Sequence, residues 1–367
     1  MWTDLAVMIV TVIGLLELSY LSPGAYELTV PQIVEGLDQS REAIRTGEVR
    51  CLFHEVQYPM KSSEEIQRIA EEEISRRRRK WLIPPESDPQ LKALFEEKAQ
   101  GIRLGVQKRY GRWEILEERK WIFALEGRHT LRPTKAYRYR LEIQNKKQIP
   151  CTGPIARHLG WNYSVIQVFN GEYQVRLEHT EFEDKSLDFA IKFPAYGGVE
   201  KVNSFKHIEL LGRPWFKMSH FLSSLRILKK ELRDGIVQYL IEYTTQDKDT
   251  VKLWIQPERG FTVSRAELFN SEGKLTVLAI FDDYLEFSGV WYPTDVTEIW
   301  LKGIRPGKEI REEDLRRQRH YKVLEARFNF PVDEKTFTLK IPKGVMLMDL
   351  SYDPPLYFID GKVLVTP

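Results

Sequence analysis

The stretch that most constrains the fold is a series of β-prone runs between Ile236 and Leu301, separated by short polar turns. The runs are IVQYLIEYTT, TVKLWIQ, FTVSRAELFN, KLTVLAIFDDYLEF and VWYPTDVTEIWL, and the turns include QDKD, PERG and NSEG. Strands joined by such short turns pair antiparallel, because a parallel pair needs a crossover connection of a dozen or more residues. The order therefore predicts an antiparallel meander of five strands.

More strands are predicted on both sides of the meander. In KAYRYRLEIQ, aromatic and aliphatic residues alternate with charged ones, which is typical of a half-buried strand. Asn170-Gly171 lies between two β-prone runs, and this dipeptide is the strongest short signal for a hairpin. Other predicted strands are 49–58, 119–127, 186–193 and 321–330.

Two segments outside the strands have helical patterns. Thr29 and Gln32 have the spacing of a capping box before an amphipathic helix, and Gly47 is placed to end that helix. Residues 205–232 are predicted to be mostly helical, with a break at Pro214. The fold class is therefore α+β.

Residues 61–101 are predicted to be a charged helical insertion, with a second helix near 90–100. Its basic run, Arg76–Lys80, has acidic neighbours at i,i+4 spacing, which favour a helix with a solvated face. A site for nucleic acid or acidic lipid is the alternative interpretation of this run.

The N-terminus carries a short apolar run, LAVMIVTVIGLL, from Leu5 to Leu16. Twelve residues are too few to span a membrane, which takes about 20, and the length fits the core of a signal peptide. An uncleaved anchor and a buried element are the alternatives. The predicted organisation is a signal peptide or anchor at 1–25, one domain at 26–350 and a tail at 351–367. A signal peptide predicts a periplasmic or secreted protein.

Charge and motifs argue against several functional classes. The 55 basic and 53 acidic residues give a net charge of +2, which does not fit the basic footprint of a nucleic-acid-binding protein. The seven histidines lack metal-ligand spacing, and no G-x-S-x-G, Walker or G-x-G-x-x-G motif is present. Asp282 and Asp283 are adjacent on one predicted strand, so their side chains are expected to point to opposite faces. No catalytic residue, metal site or cofactor is predicted.

The chain has two cysteines, Cys51 and Cys151, which cannot make a disulfide framework. Two separate, half-buried thiols are favoured. A disulfide between them in an oxidising compartment is the alternative.

The meander has apolar residues on both faces of its strands, so both faces are predicted to be covered. Such an aromatic sheet fits either an ordinary core or the wall of a cavity for an apolar ligand. The candidate cavity-lining residues are Tyr239, Ile241, Tyr243, Trp254, Leu278, Ile280 and Trp291.

Two stretches, GKLTVLAIFDDYLEFSGVWYPTDVTEIW (273–300) and FNFPVDEKTFTLKIPKGVMLMD (328–349), carry a family resemblance. The second contains the phrase F-T-x-x-x-P-x-G-x-x-x-x-D, formed here by Phe337, Thr338, Pro342, Gly344 and Asp349. With this element order the chain resembles the LolA/LolB-like family of bacterial outer-membrane lipoprotein-sorting proteins, most clearly over residues 230–350.

The resemblance implies a curved antiparallel sheet, an incomplete and half-open barrel, with helices over its concave side and an apolar interior that shelters acyl chains. The leading hypothesis is a monomeric, non-enzymatic envelope protein that binds a lipid, an acyl chain or a lipoprotein. Association with a membrane surface is a further expectation. The alternative hypothesis is a structural or protein-interaction module of the envelope whose barrel is filled by side chains.

Overall fold

The computed structural model describes residues 27–79, 89–125, 137–149, 162–182, 185–194, 211–214, 217–353 and 355–364. Within these ranges the helices are α1 (Val30–Glu42), α2 (Ser63–Arg78) and α3 (Pro89–Tyr110). No helix in these ranges combines the length and the apolar character needed to cross a membrane. The predicted leader at 1–25 and Cys151 lie outside the described residues, so cleavage of the leader and pairing of the cysteines stay predictions.

The described strands form a single sheet. They are β1 (Thr46–Gln57), β2 (Trp113–Leu125), β3 (Tyr137–Ile149), β4 (Asn162–Phe169), β5 (Tyr173–Phe182), β6 (Lys185–Pro194), β7 (Arg226–Arg233), β8 (Ile236–Thr244), β9 (Thr250–Gln256), β10 (Thr262–Phe269), β11 (Leu275–Phe287), β12 (Val290–Ile304), β13 (Leu315–Phe328), β14 (Met346–Asp349), β15 (Leu356–Ile359) and β16 (Lys362–Leu364).

The strand order is β16-β15-β14-β6-β5-β4-β3-β2-β1-β13-β12-β11-β10-β9-β8-β7. All neighbours pair antiparallel except β14 and β6, which pair parallel. The sheet is curved, and β7 and β16 lie at its two edges, so its described part does not close. The predicted α+β class, the five-strand meander from β8 to β12 and the Asn170-Gly171 hairpin between β4 and β5 are confirmed.

The helical prediction for 205–232 is wrong in its described part. Met218–Phe221 form one turn of 3-10 helix, and β7 follows as an edge strand beside β8. The turn between these strands is Asp234-Gly235, where both residues have positive φ, 51° and 78°. Such a turn matches the twist of a two-residue hairpin. An Asp-Gly dipeptide favours a hairpin, whereas the leucine spacing within 205–232 favoured a helix.

Helix α1 begins with the predicted capping box of Thr29 and Gln32. It ends at Glu42, before the predicted end at Gly47, which lies in β1 instead. A Cβ on Gly47 would lie 2.3 Å from the Phe123 ring, so glycine is needed here for the close approach of that ring to the strand.

The main core lies between α1 and one face of the sheet, called the helix face below. Ile33 and Leu37 of α1 are fully buried in one hydrophobic cluster with Phe53 and Tyr239. Arg213, also buried, donates hydrogen bonds to the carbonyl oxygens of Ser40, in the last turn of α1, and of Trp291 in β12. The side chain therefore ties the C-terminal end of α1 to the sheet.

The C-terminal phrase of the family resemblance packs on the opposite face. Phe337 is buried against Ala124 of β2 and Val168 of β4. Asp349, at the end of β14, accepts hydrogen bonds from Lys192 Nζ in β6 and from the backbone N–H of Ser351, both at 2.9 Å. These contacts join the C-terminal strands to the β6 edge of the sheet.

Candidate functional site

Three of the seven predicted cavity residues lie together on the helix face. Tyr239, Ile241 and Tyr243 of β8 are at most 2% exposed. The backbone N–H of Leu28 donates to the Tyr239 hydroxyl at 3.2 Å, and the ring of Phe221 contacts that of Tyr243. The protein's own side chains therefore fill this part of the helix face.

Three others lie on the opposite face. Strand pairing places Trp254 beside Arg265, and Ile280 also beside Arg265, while Leu278 pairs with Glu267. Trp291 is half-buried, with the Arg259 guanidinium 5.6 Å from its ring centroid. The structure thus does not bring the seven residues into one cavity, and their contact with a ligand stays a prediction.

A cleft of about 340 Å³ opens where β1 and β2 meet β12 and β13. We call it the arginine cleft. Its lining residues are Glu55, Arg119, Trp300, Arg316, Arg317, Arg319 and Tyr321.

Strand register explains how residues so distant in sequence meet here. Glu298 of β12 pairs with Arg319 of β13, which pairs on its other side with Glu55 of β1. Directly paired residues point to the same face of a sheet. Since alternate residues share a face, Arg317 and Tyr321 join them on the helix face.

Glu55 is the anchor of the cleft. The residue is 6% exposed, and its carboxylate bridges two guanidinium groups, with Arg317 Nε at 3.1 Å and Arg319 Nε at 3.2 Å. Arg317 also donates to the side-chain oxygen of Gln57 at 3.3 Å. The amide nitrogen of Gln57 donates to the Arg109 carbonyl oxygen, so the C-terminal end of α3 is connected to the cleft.

Arg119 forms the opposite wall. Its guanidinium lies 3.3 Å from the centroid of the Phe53 ring and 2.6 Å from the carboxylate of Glu117. Glu117 is 3% exposed and also accepts a hydrogen bond from the Tyr163 hydroxyl. A guanidinium stacked on a ring and held by a carboxylate has a fixed orientation.

Glu298 lies behind Arg319 and is fully buried. Its nearest cation is Arg319, with Nη1 at 3.7 Å from a carboxylate oxygen, and neither oxygen has a hydrogen-bond partner in the described part of the chain. Burial raises the pKa of this carboxyl to about 7, and Arg319 and Trp300 offset the effect only in part. The group therefore changes charge near neutral pH.

The cleft is suited to hold an anion. Four of its seven lining residues are arginines and one is a glutamate, and a guanidinium offers paired N–H donors to an oxyanion. The described residues contain no group of three or more His, Cys, Asp or Glu side chains that could hold a metal ion. Asp282 and Asp283 are both exposed.

Sequence reasoning missed this cleft because the predicted strand begins at residue 321, whereas β13 begins at Leu315 and includes Arg316, Arg317 and Arg319. The signal was the alternation of Arg317, Arg319 and Tyr321, which places all three on one face of a strand.

No protein-family model and no curated protein matches the chain. Among solved structures, it is similar to a DUF1329 family protein from Desulfovibrio piger, at 11% identity and a TM-score of 0.40, over 84% of this chain and 95% of that one. It is similar to a LolA superfamily protein from Nitrosomonas europaea, at 11% identity and a TM-score of 0.37, over 85% of this chain and 99% of that one.

A third structure is a putative outer membrane lipoprotein-sorting protein domain from Vibrio parahaemolyticus, at 8% identity and a TM-score of 0.38, over 84% of this chain and 97% of that one. The likeness concerns the general fold and transfers no ligand to this chain.

Proposed function

We propose that this protein is a non-enzymatic protein of the cell envelope that binds a lipid, an acyl chain or a lipoprotein with its acidic group in the arginine cleft. The observation that carries the proposal is the lining of the cleft, in which four arginines meet one glutamate. Arginine-rich, partly desolvated clefts bind carboxylates and phosphates through charge-assisted hydrogen bonds.

Apolar side chains beside the cleft support an amphiphile rather than a small inorganic ion alone. Ile115 and Trp121 of β2 and Ile143 of β3 share the helix face with Arg119 and are half-buried. An acyl chain lying along them would remove further apolar surface from water, at about 25 cal/mol per Å².

The second candidate is a structural or protein-interaction module of the envelope. It is favoured by the filled helix face around Tyr239, Tyr243 and Tyr292, where each side chain is at most 2% exposed. In a protein that acts only as a scaffold, the ion pairs of Arg119, Arg317 and Arg319 with buried carboxylates would join the strands and bind no ligand.

The test is native mass spectrometry, with lipid extraction, on the protein purified from a bacterial envelope. We expect bound acyl lipid, and about tenfold weaker binding of it in Arg316→Glu, because reversing one charge at a partly solvated site is expected to cost about 1.4 kcal/mol. Arg316 is exposed, so the variant keeps its core.

Arg305→Glu is the matched control, since Arg305 is also exposed but lies outside the cleft. It should retain the lipid of the wild type. A clean protein mass, with no uptake of added acyl lipid, would contradict the binding function and favour the structural module.

A further inference from the structure

Two buried polar groups at the arginine cleft make no hydrogen bond of ordinary length and angle within the described part of the chain. Both carboxylate oxygens of Glu298 and the Nε1 of Trp300 have no hydrogen-bond partner among the residues that the structure describes. A buried polar group without a hydrogen bond destabilises the folded protein. A ligand that supplies a partner, or a proton that neutralises the group, removes this cost. Trp300 lines the cleft, and its indole N–H faces Glu298, where it favours the ionised carboxylate.

The charges around the cleft do not balance. The cationic groups are Arg119, Arg316, Arg317 and Arg319. The buried acidic groups are Glu55, Glu117 and Glu298. With all of them ionised the cluster has one positive charge in excess, and with Glu298 protonated it has two. When Glu298 is protonated, the cluster therefore has two positive charges in excess, which a dianion neutralises.

We propose that the arginine cleft is a site for a dianionic phosphate group and that Glu298 takes up one proton when this group binds. The inference rests on the proposed function and names the polar group of the ligand. The phosphate receives donors from Arg316, Arg317 and Arg319, whose paired N–H groups match its oxygens. The proton comes from solvent and neutralises the Glu298 carboxylate. Arg319 then no longer pairs with a charged Glu298, so its guanidinium donates to the phosphate.

The groups facing Glu298 are consistent with this exchange. From β13 it meets Arg319 and the Tyr321 side chain, and from β1 the carboxylate of Glu55. On its other side the paired residue in β11 is Ala279, which has no charge. Arg319 is thus the cation shared between Glu298, Glu55 and an incoming anion.

Isothermal titration calorimetry at pH 8 on the full chain tests the proposal, with dodecyl phosphate, laurate and inorganic phosphate as ligands. At this pH the phosphates are mostly dianions and Glu298 is mostly ionised. In buffers of different ionisation enthalpy, dodecyl phosphate should bind with uptake of nearly one proton. Its affinity should fall about tenfold from pH 8 to pH 9, as one coupled proton requires.

Glu298→Gln should bind dodecyl phosphate without proton uptake and with the same affinity at pH 8 and pH 9. Glutamine has the shape of the protonated acid, so this variant is expected to fold. Arg316→Ala, at an exposed position, should lower the affinity for both phosphates. Wild-type protein that binds dodecyl phosphate with no proton uptake would overturn the proposal.

The three ligands separate the possible outcomes. Inorganic phosphate binding as tightly as dodecyl phosphate would identify a site for free phosphate, and much tighter binding of dodecyl phosphate would identify a lipid headgroup. Laurate bound as tightly as dodecyl phosphate, with no proton uptake in either case, would overturn this inference and leave the proposed function standing. If neither dodecyl phosphate nor laurate binds, both this inference and the proposed function are contradicted.

Discussion

Replacing Glu298 with glutamine should raise the free energy of unfolding by about 3 kcal/mol at pH 8 and leave it almost unchanged at pH 4.5. Glu298 is fully buried, and its carboxyl has a pKa raised from 4.5 to about 7. Glutamine has nearly the same shape and never ionises. The variant therefore removes the cost of a buried charge.

The sign follows from proton binding. Between pH 4.5 and 7 the native state holds a proton on Glu298 that the unfolded chain has already lost. Stability from this group is therefore fully present below pH 4.5 and is lost as the pH rises to 7. Above pH 7 both states are ionised, and the difference between wild type and variant stays constant.

Urea unfolding followed by circular dichroism at a series of pH values measures this difference. Other titrating groups are common to both proteins, so their contributions cancel when the two curves are subtracted. Glu286→Gln is the control, because Glu286 is an exposed residue of the neighbouring strand β11. Equal stabilities of wild type and Glu298→Gln at pH 8 would mean that Glu298 is well solvated or firmly paired.

Local patterns were enough to predict most strands. Alternation and turn residues depend on neighbours in sequence, so the meander from Ile236 and the Asn170-Gly171 hairpin could be predicted without knowledge of the fold. The error at 205–232 arose where two local signals competed. Leucine spacing favoured a helix, but the Asp234-Gly235 turn and pairing with β8 produced a strand.

The arginine cleft could not be predicted in the same way because it depends on long-range pairing. Glu55 reaches Arg319 only because β1 pairs with β13, more than 260 residues later. The sequence also contains many exposed Glu and Arg residues that look the same. Burial of Glu298 follows from its place on the helix face of an interior strand, which composition does not reveal.

The aromatic surface of the meander has a similar explanation. Sequence periodicity correctly grouped Tyr239, Ile241 and Tyr243 on one face. It could not tell a lined cavity from a filled core, because both need the same apolar residues. The structure shows a filled core on this face, because Ile33 and Leu37 of α1 belong to the same buried cluster as those side chains.

Replacing Gly36 with alanine should lower the free energy of unfolding by about 2 kcal/mol, because α1 would be pushed away from the sheet. A Cβ at Gly36 would lie 2.4–2.5 Å from three atoms of the Phe261 ring. Overpacking of this kind costs about 1–3 kcal/mol or more, and the gain in helix propensity of up to about 1 kcal/mol only partly offsets it.

Gly101→Ala is the matched control, since it makes the same change inside helix α3 where a Cβ would meet no atom within 4 Å. It should raise stability by up to about 1 kcal/mol, so the two substitutions are expected to differ in sign. Thermal and urea unfolding of both variants measure the difference. If Gly36→Ala were as stabilising as Gly101→Ala, α1 would not be held in close contact with Phe261.

A double variant assigns the cost to this one contact. Phe261→Ala alone removes a half-buried ring and should be destabilising, but with the ring absent the added methyl at position 36 has space. Gly36→Ala should therefore cost much less in the Phe261→Ala background, with a coupling energy of about 1–3 kcal/mol. If the effects of the two substitutions on the free energy of unfolding were strictly additive, the strain would lie elsewhere on α1. If they are coupled, the contact of Gly36 with Phe261 limits how closely α1 approaches the sheet.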